Sequence, residues 1–107
     1  AAAHSQGRCL RSVREALEAG GASPGRTASA QDYGPNLERV GFSAVASSSA
    51  PAYTPERGDV VVFGAVQGHR HGHIAMYDGG QWVSDFRQPG FYPNQSYRGG
   101  SWTVYRP

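Results

Sequence analysis

The chain has 107 residues, close to the commonest size of a single domain, and leaves no room for two lobes with a cleft between them. At 38% hydrophobic and 17% charged, with 4 Phe, 6 Tyr and 2 Trp, it is too apolar for a disordered chain and too polar for a membrane-embedded one. The net charge of +2 is carried by arginines alone and is spread along the chain, which argues against a nucleic-acid-binding stripe and mildly favours an anionic partner.

One cysteine excludes an internal disulfide and a multi-cysteine zinc knuckle. No apolar run approaches the roughly 20 residues that span a bilayer, so membrane insertion is not expected. Ala1-Ala2-Ala3 lacks the charged start and apolar centre of a signal peptide.

In chain order, the first periodic segment covers residues 8–19. Cys9, Val13, Ala16 and Leu17 share one helical face, while Arg11, Arg14, Glu15 and Glu18 take the other. Ser5 or Gly7 stands where a cap belongs, and Gly20-Gly21 is a stop signal. Residues 22–31 read as loop. A short helix is predicted over 35–40, with Pro35 at its start and Gly41 at its end. A short strand follows over 42–45.

The second half is β-rich. Val60-Val61-Val62-Phe63 reads as a buried strand from its β-branched run. Residues 73–77 and 81–86 read as two strands joined at Asp78-Gly79-Gly80. A long aromatic loop over 87–100 leads to a last strand over 102–105. No repeat or internal boundary interrupts residues 1–107. One domain is expected, of class α+β, with a helix first and a small antiparallel sheet after it.

Three residues suggest chemistry. A thiol near a helix start lies in the positive end of the dipole, which favours the nucleophilic thiolate, so Cys9 is the candidate nucleophile. For a cysteine taken alone, a structural role as a small hydrophobe is the better reading. His73 opens a strand after a Gly-rich loop, and an imidazole held there suits proton transfer near neutral pH. Asp85 is the candidate orienter of that base. If Asp78-Gly79-Gly80 is a three-residue loop, Tyr77 pairs with Gln81 and His73 with Asp85, on one face of the hairpin. A two-residue loop shifts the register by one and weakens this pairing.

The order Cys9, His73, Asp85 resembles that of the NlpC-like and CHAP cysteine peptidases, a papain-like superfamily that cuts bacterial cell-wall peptides. The resemblance runs through three blocks. Residues 8–21 are similar to the family's nucleophile helix, Gly58-Asp59 with residues 60–63 to its "GD-hydrophobic" strand, and residues 72–86 to its histidine hairpin. In that pattern the third catalytic residue falls twelve positions after the histidine, as Asp85 does after His73. The chain departs from it in having Arg8-Cys9-Leu10-Arg11 where Asp-Cys-Ser-Gly is usual, and Asp where the third residue is usually His.

The resemblance implies a minimal papain-like fold, with the nucleophile helix packed on a small antiparallel sheet. It implies a cysteine amidase or endopeptidase acting on peptidoglycan stem peptides through a Cys9-His73-Asp85 triad and an acyl-enzyme, without a cofactor. Small members of this group that lack a signal peptide include antibacterial amidase toxins. Secretion, or delivery into a target-cell periplasm, and an immunity protein that blocks the cleft follow from that likeness.

Around this centre, backbone N–H groups at the helix start are candidates for an oxyanion hole, with Gln6 or Ser5 as a side-chain donor. His71, Phe91 and Tyr92 are candidate substrate contacts. His69, His71 and His73 alternate as metal ligands can, but a Gly-flanked loop is a poor rigid frame and a metal would leave Cys9 and Asp85 unexplained, so no metal is expected. Two other readings compete: an acyl or lipid transferase on the same scaffold, and a non-catalytic wall-binding module that would use the aromatics and the basic charge.

Overall fold

The computed structural model describes residues 9–27 and 29–107. Helix α1 spans Cys9–Ala19 and buries Val13 and Leu17, the apolar stripe of the sequence. Cys9 and Leu10 pack beside them, while Ala16 stays exposed. The backbone N–H of Ala22 bonds back to the Leu17 carbonyl, and Gly21 turns the chain away at φ 97°.

A 3₁₀ turn at Ala30–Asp32 and helix α2 at Gly34–Arg39 follow, with proline in the first turn of α2. The strands are β1 (Ser43–Ser47), β2 (Val60–Phe63), β3 (His73–Tyr77), β4 (Trp82–Val83) and β5 (Trp102–Arg106). A second 3₁₀ turn lies at Gln95–Tyr97. The strands form one sheet in the order β1-β5-β2-β3-β4, every neighbouring pair antiparallel.

Both faces of the sheet are covered, which explains why β2 is an unbroken apolar run instead of alternating. Val60, Val62 and Ile74 pack with Val13, Leu17, Leu37, Phe42 and Tyr33 from the helical half. Val61, Phe63, Ala75 and Val104 pack with Trp82, Trp102 and Tyr97, joined by Phe91 and Tyr92 of the long loop. The loop is therefore a covering layer built of aromatic rings. Phe91 lies 4.8 Å from Trp102 and 5.3 Å from both Phe63 and Trp82, centroid to centroid. No helix among the described residues is long and apolar enough to cross a membrane.

Just before β2, Asp59 is fully buried, at 0% exposure. Its two oxygens accept from Arg106 Nε at 2.8 Å and Nη2 at 2.9 Å, and one also accepts the Glu56 backbone N–H at 2.9 Å. The Gly-Asp pair of the sequence is thus a buried clamp between the start of β2 and the end of β5.

The β3–β4 hairpin corrects the expected register. Tyr77 pairs with Trp82 and Met76 with Val83, and Asp78 N–H bonds to the Gln81 carbonyl. Gly79-Gly80 is therefore a two-residue turn, which Asp78 Oδ1 closes by accepting from both Gly80 and Gln81 N–H. The ladder stops after Val83. The chain reverses through Ser84–Arg87, with Val83 bridged to Arg87 and the Gln88 N–H bonded to the Trp82 carbonyl at 2.9 Å. The pairing of His73 with Asp85 does not form.

Candidate active site

α1 packs against β3, and this contact brings the two ends of the candidate pair together. Cys9 opens α1, close enough to Ile74, the residue after His73, for the Ile74 backbone N–H to favour its thiolate. Gly72 sets the approach of the chain into β3. It adopts φ +72°, and a Cβ there would collide with the Phe63 carbonyl oxygen. Tyr97 Oη donates to the Gly72 carbonyl at 3.0 Å, and the Tyr97 ring lies 5.8 Å from the His73 ring.

Cys9 and His73 line one cavity of about 610 Å³, together with Ser29, His69, His71, Asn94 and Tyr97. Among the described residues its charged lining is basic: Arg11 and Arg14 from α1 and Arg70 from the loop before β3, with no Asp or Glu.

The electrostatics are those of a buried, neutral pair. Burial pushes the Cys9 thiol above its ordinary 9.0, against the lowering effect of the Ile74, Leu10 and Cys9 backbone N–H groups, and the Asp85 charge adds to the rise. The helix start alone would favour the thiolate; here desolvation outweighs it. Burial likewise lowers His73 below 6.5, opposed by its bond to Gln88 and by the Asp85 charge. At neutral pH both groups are uncharged.

Asp85 is half-buried, accepts from Ser84 Oγ at 3.4 Å, and acts on both groups through its charge. The His73 ring itself bonds elsewhere: Nε2 lies 2.8 Å from Gln88 Oε1. In the sequence Gln88 falls in the loop between a surface arginine and a proline. No periodicity or spacing marks it there.

His71 lies on the cavity rim, its Nδ1 2.6 Å from Ser29 Oγ. The His69 ring lies 5.2 Å from Tyr97, centroid to centroid, on the same ring that His73 approaches. Among the described residues no three His, Cys, Asp or Glu side chains are grouped to hold a metal. Phe91 and Tyr92 are absent from the cavity lining and belong to the aromatic layer. The loop contributes Pro93, Asn94 and Tyr97 to the cavity instead. Gln6 and Ser5 lie outside the described residues.

A cysteine-bearing first helix laid on the histidine strand of a small antiparallel sheet defines a small papain-like α+β fold. No protein-family model and no curated protein matches the chain. Solved structures do. The chain is 45% identical to one in the crystal structure of the type VI native effector-immunity complex Tae3-Tai3 from Ralstonia pickettii, with TM-score 0.88 over 98% of this chain and 86% of that one. It is 46% identical to one in the selenomethionine form of the same complex, with TM-score 0.85 over 95% of this chain and 88% of that one. The chain belongs to the Tae3 family of type VI effectors.

Proposed function

We propose that this chain is an antibacterial effector that hydrolyses amide bonds in peptidoglycan stem peptides, with Cys9 as nucleophile and His73 as general base and acid. The observation that carries the reading is that Cys9 and His73 line one cavity where α1 packs against β3. A lone buried cysteine would be structural. One placed beside a buried imidazole at the floor of an open, basic cavity has a base and a substrate space.

In this mechanism His73 takes the Cys9 proton as the sulfur attacks the amide carbonyl. The imidazolium then returns that proton to the departing amine, and an acyl-enzyme remains. Water, deprotonated by His73, releases the carboxylate product and restores the thiol. Asp85 stabilises the transient imidazolium by its charge. The arginines of the rim suit carboxylate-bearing peptides. Delivery into the periplasm of a target cell and neutralisation by a dedicated immunity protein fit the effector-immunity complexes in which the relatives were crystallised.

Digestion of purified sacculi tests the reading, with products resolved by liquid chromatography and mass spectrometry. Wild type is expected to release fragments whose masses name the bond, and Cys9→Ala and His73→Ala none. Equal release by wild type and Cys9→Ala would sink it. Sacculus binding without fragments would point to a wall-binding module.

A further inference from the structure

A charge inside a protein is normally matched by partners close enough to replace the water it has lost. Among the described residues three arginines line the cavity, and they meet this requirement differently. Arg11 Nε lies 3.2 Å from Glu15 Oε2, and both side chains are more than half exposed. Arg70 is exposed. Water solvates both. Arg14 stands apart. Only 13% of its side chain is exposed, and its Nε is buried without a hydrogen-bond partner. Its ion-pair partner, Glu18 Oε2, is 3.8 Å from Nε, too far for a hydrogen bond. The cavity wall adds no compensation, since its described lining holds no Asp or Glu.

The placement of Arg14 limits what can complete it. α1 begins at Cys9, so Arg14 is five residues on, about 7.5 Å along the axis at roughly 1.5 Å per residue. Leu10 sits one turn before Arg14, on the same side of the helix, and also lines the cavity. The wall from thiol to guanidinium is thus continuous, with an apolar step between. An extended peptide advances roughly 3.3–3.6 Å per residue. A peptide whose carbonyl meets Cys9 therefore brings its next residue or two beside Arg14.

We infer that Arg14 is a specificity-determining residue, which takes a free carboxylate carried within about two residues of the amide that Cys9 attacks. This rests on the thiol reading above and deepens it: the substrates are stem peptides in which that carboxylate is unblocked. Low exposure separates Arg14 from the other two arginines. An ion contact sheltered from water is stronger than one at the rim and is screened less by salt. Arg11 and Arg70 draw anionic peptides toward the cavity, and Arg14 chooses among them.

Two synthetic stem peptides test this, identical except that the carboxylate nearest the amide cut in sacculus digests is a carboxamide in one. Wild type should favour the carboxylate peptide about tenfold or more in kcat/KM, mostly through KM. The preference should persist in about 0.5 M salt. In Arg14→Met, which keeps an apolar stem and loses the charge, the ratio should fall to near one. In Arg70→Gln the ratio should persist.

Equal cleavage of the two peptides by wild type overturns the assignment. So does a folded Arg14→Met that keeps the wild-type ratio. If Arg14→Met does not fold, salt decides. A preference that survives salt supports the sheltered cation; one that vanishes places recognition at the exposed rim and overturns the assignment. Failure of the thiol reading is separable. If wild type releases nothing from sacculi, calorimetry of its binding to a free-carboxylate stem peptide and to the fully amidated counterpart still reads the subsite. Tighter binding of the free-carboxylate peptide upholds Arg14 without the chemistry, and equal binding overturns it.

Discussion

Consider removal of either partner of the Asp59–Arg106 clamp. Breaking a buried ion pair by deleting one member costs about 3–5 kcal/mol, because the survivor is left buried and uncompensated. Here the two survivors are not equivalent. The Arg106 side chain is 29% exposed and has a second carboxylate, Glu56, 3.2 Å away. Asp59 is fully buried. In Asp59→Ala the arginine can turn to water and Glu56, which sets the cost near the low end, about 3 kcal/mol. In Arg106→Met the Asp59 carboxylate keeps only the Glu56 N–H as a partner the structure identifies, and the cost should lie toward the upper end.

At this chain length about 3 kcal/mol lowers Tm by roughly 12 °C or more. Urea and thermal unfolding followed by circular dichroism measure both variants. The double variant should cost clearly less than the sum of the singles. An Asp59→Ala cost below about 1 kcal/mol, or additive singles, would refute the clamp argument.

Other expectations follow from the site. Because burial holds His73 below 6.5 and catalysis needs it neutral, the acidic limb of the rate profile should lie below pH 6.5, readable from kcat/KM on sacculus fragments. The same lowered value makes the fold lose stability as pH falls from about 6.5 through the folded-state pKa, since the unfolded chain takes up the proton first. Alkylation of Cys9 by iodoacetamide at pH 7 should be slow and should accelerate with rising pH, as a raised thiol pKa requires; fast labelling at pH 6 would contradict it. Arg70→Gln should raise KM with kcat little changed and reduce the salt sensitivity of cleavage, because Arg70 is an exposed cation on the cavity rim. Gly72→Ala should destabilise the fold and cut activity together, measured by melting and fragment release, since its Cβ would push apart β2 and the chain entering β3.

How much of this was visible in the residues depends on the range of the forces involved. β2 and β3 have the predicted bounds because β-branched runs flanked by glycine are local signals. Cys9 and His73, which line one cavity, stand out in the sequence because a helix start and a strand start are local signals. β4 was overextended. Alternation through residues 81–86 looked like a strand, but a two-residue glycine turn set another register and the chain reversed after Val83. Phe91 and Tyr92 looked like groove walls, yet the sheet's second face lacked a cover and tertiary packing claimed them. Asp59 was read as a family signature. Its partner, Arg106, is distant in sequence and became visible only in space. The partner of His73, Gln88, was hidden for the same reason.

The position of β5 has a consequence for timing. This strand lies between β1 and β2, so an interior strand of the sheet is the last of the five in chain order. Before residues 102–106 dock, β1 has no strand to pair with and β2 has only β3. Contacts of such wide sequence separation form late and slowly. During synthesis, therefore, the sheet on which Cys9 and His73 meet should close only after residues 102–106 have emerged. Until then the producing cell would hold a polypeptide without an assembled cavity, which a pulse-chase protease-resistance experiment on ribosome-stalled chains would reveal.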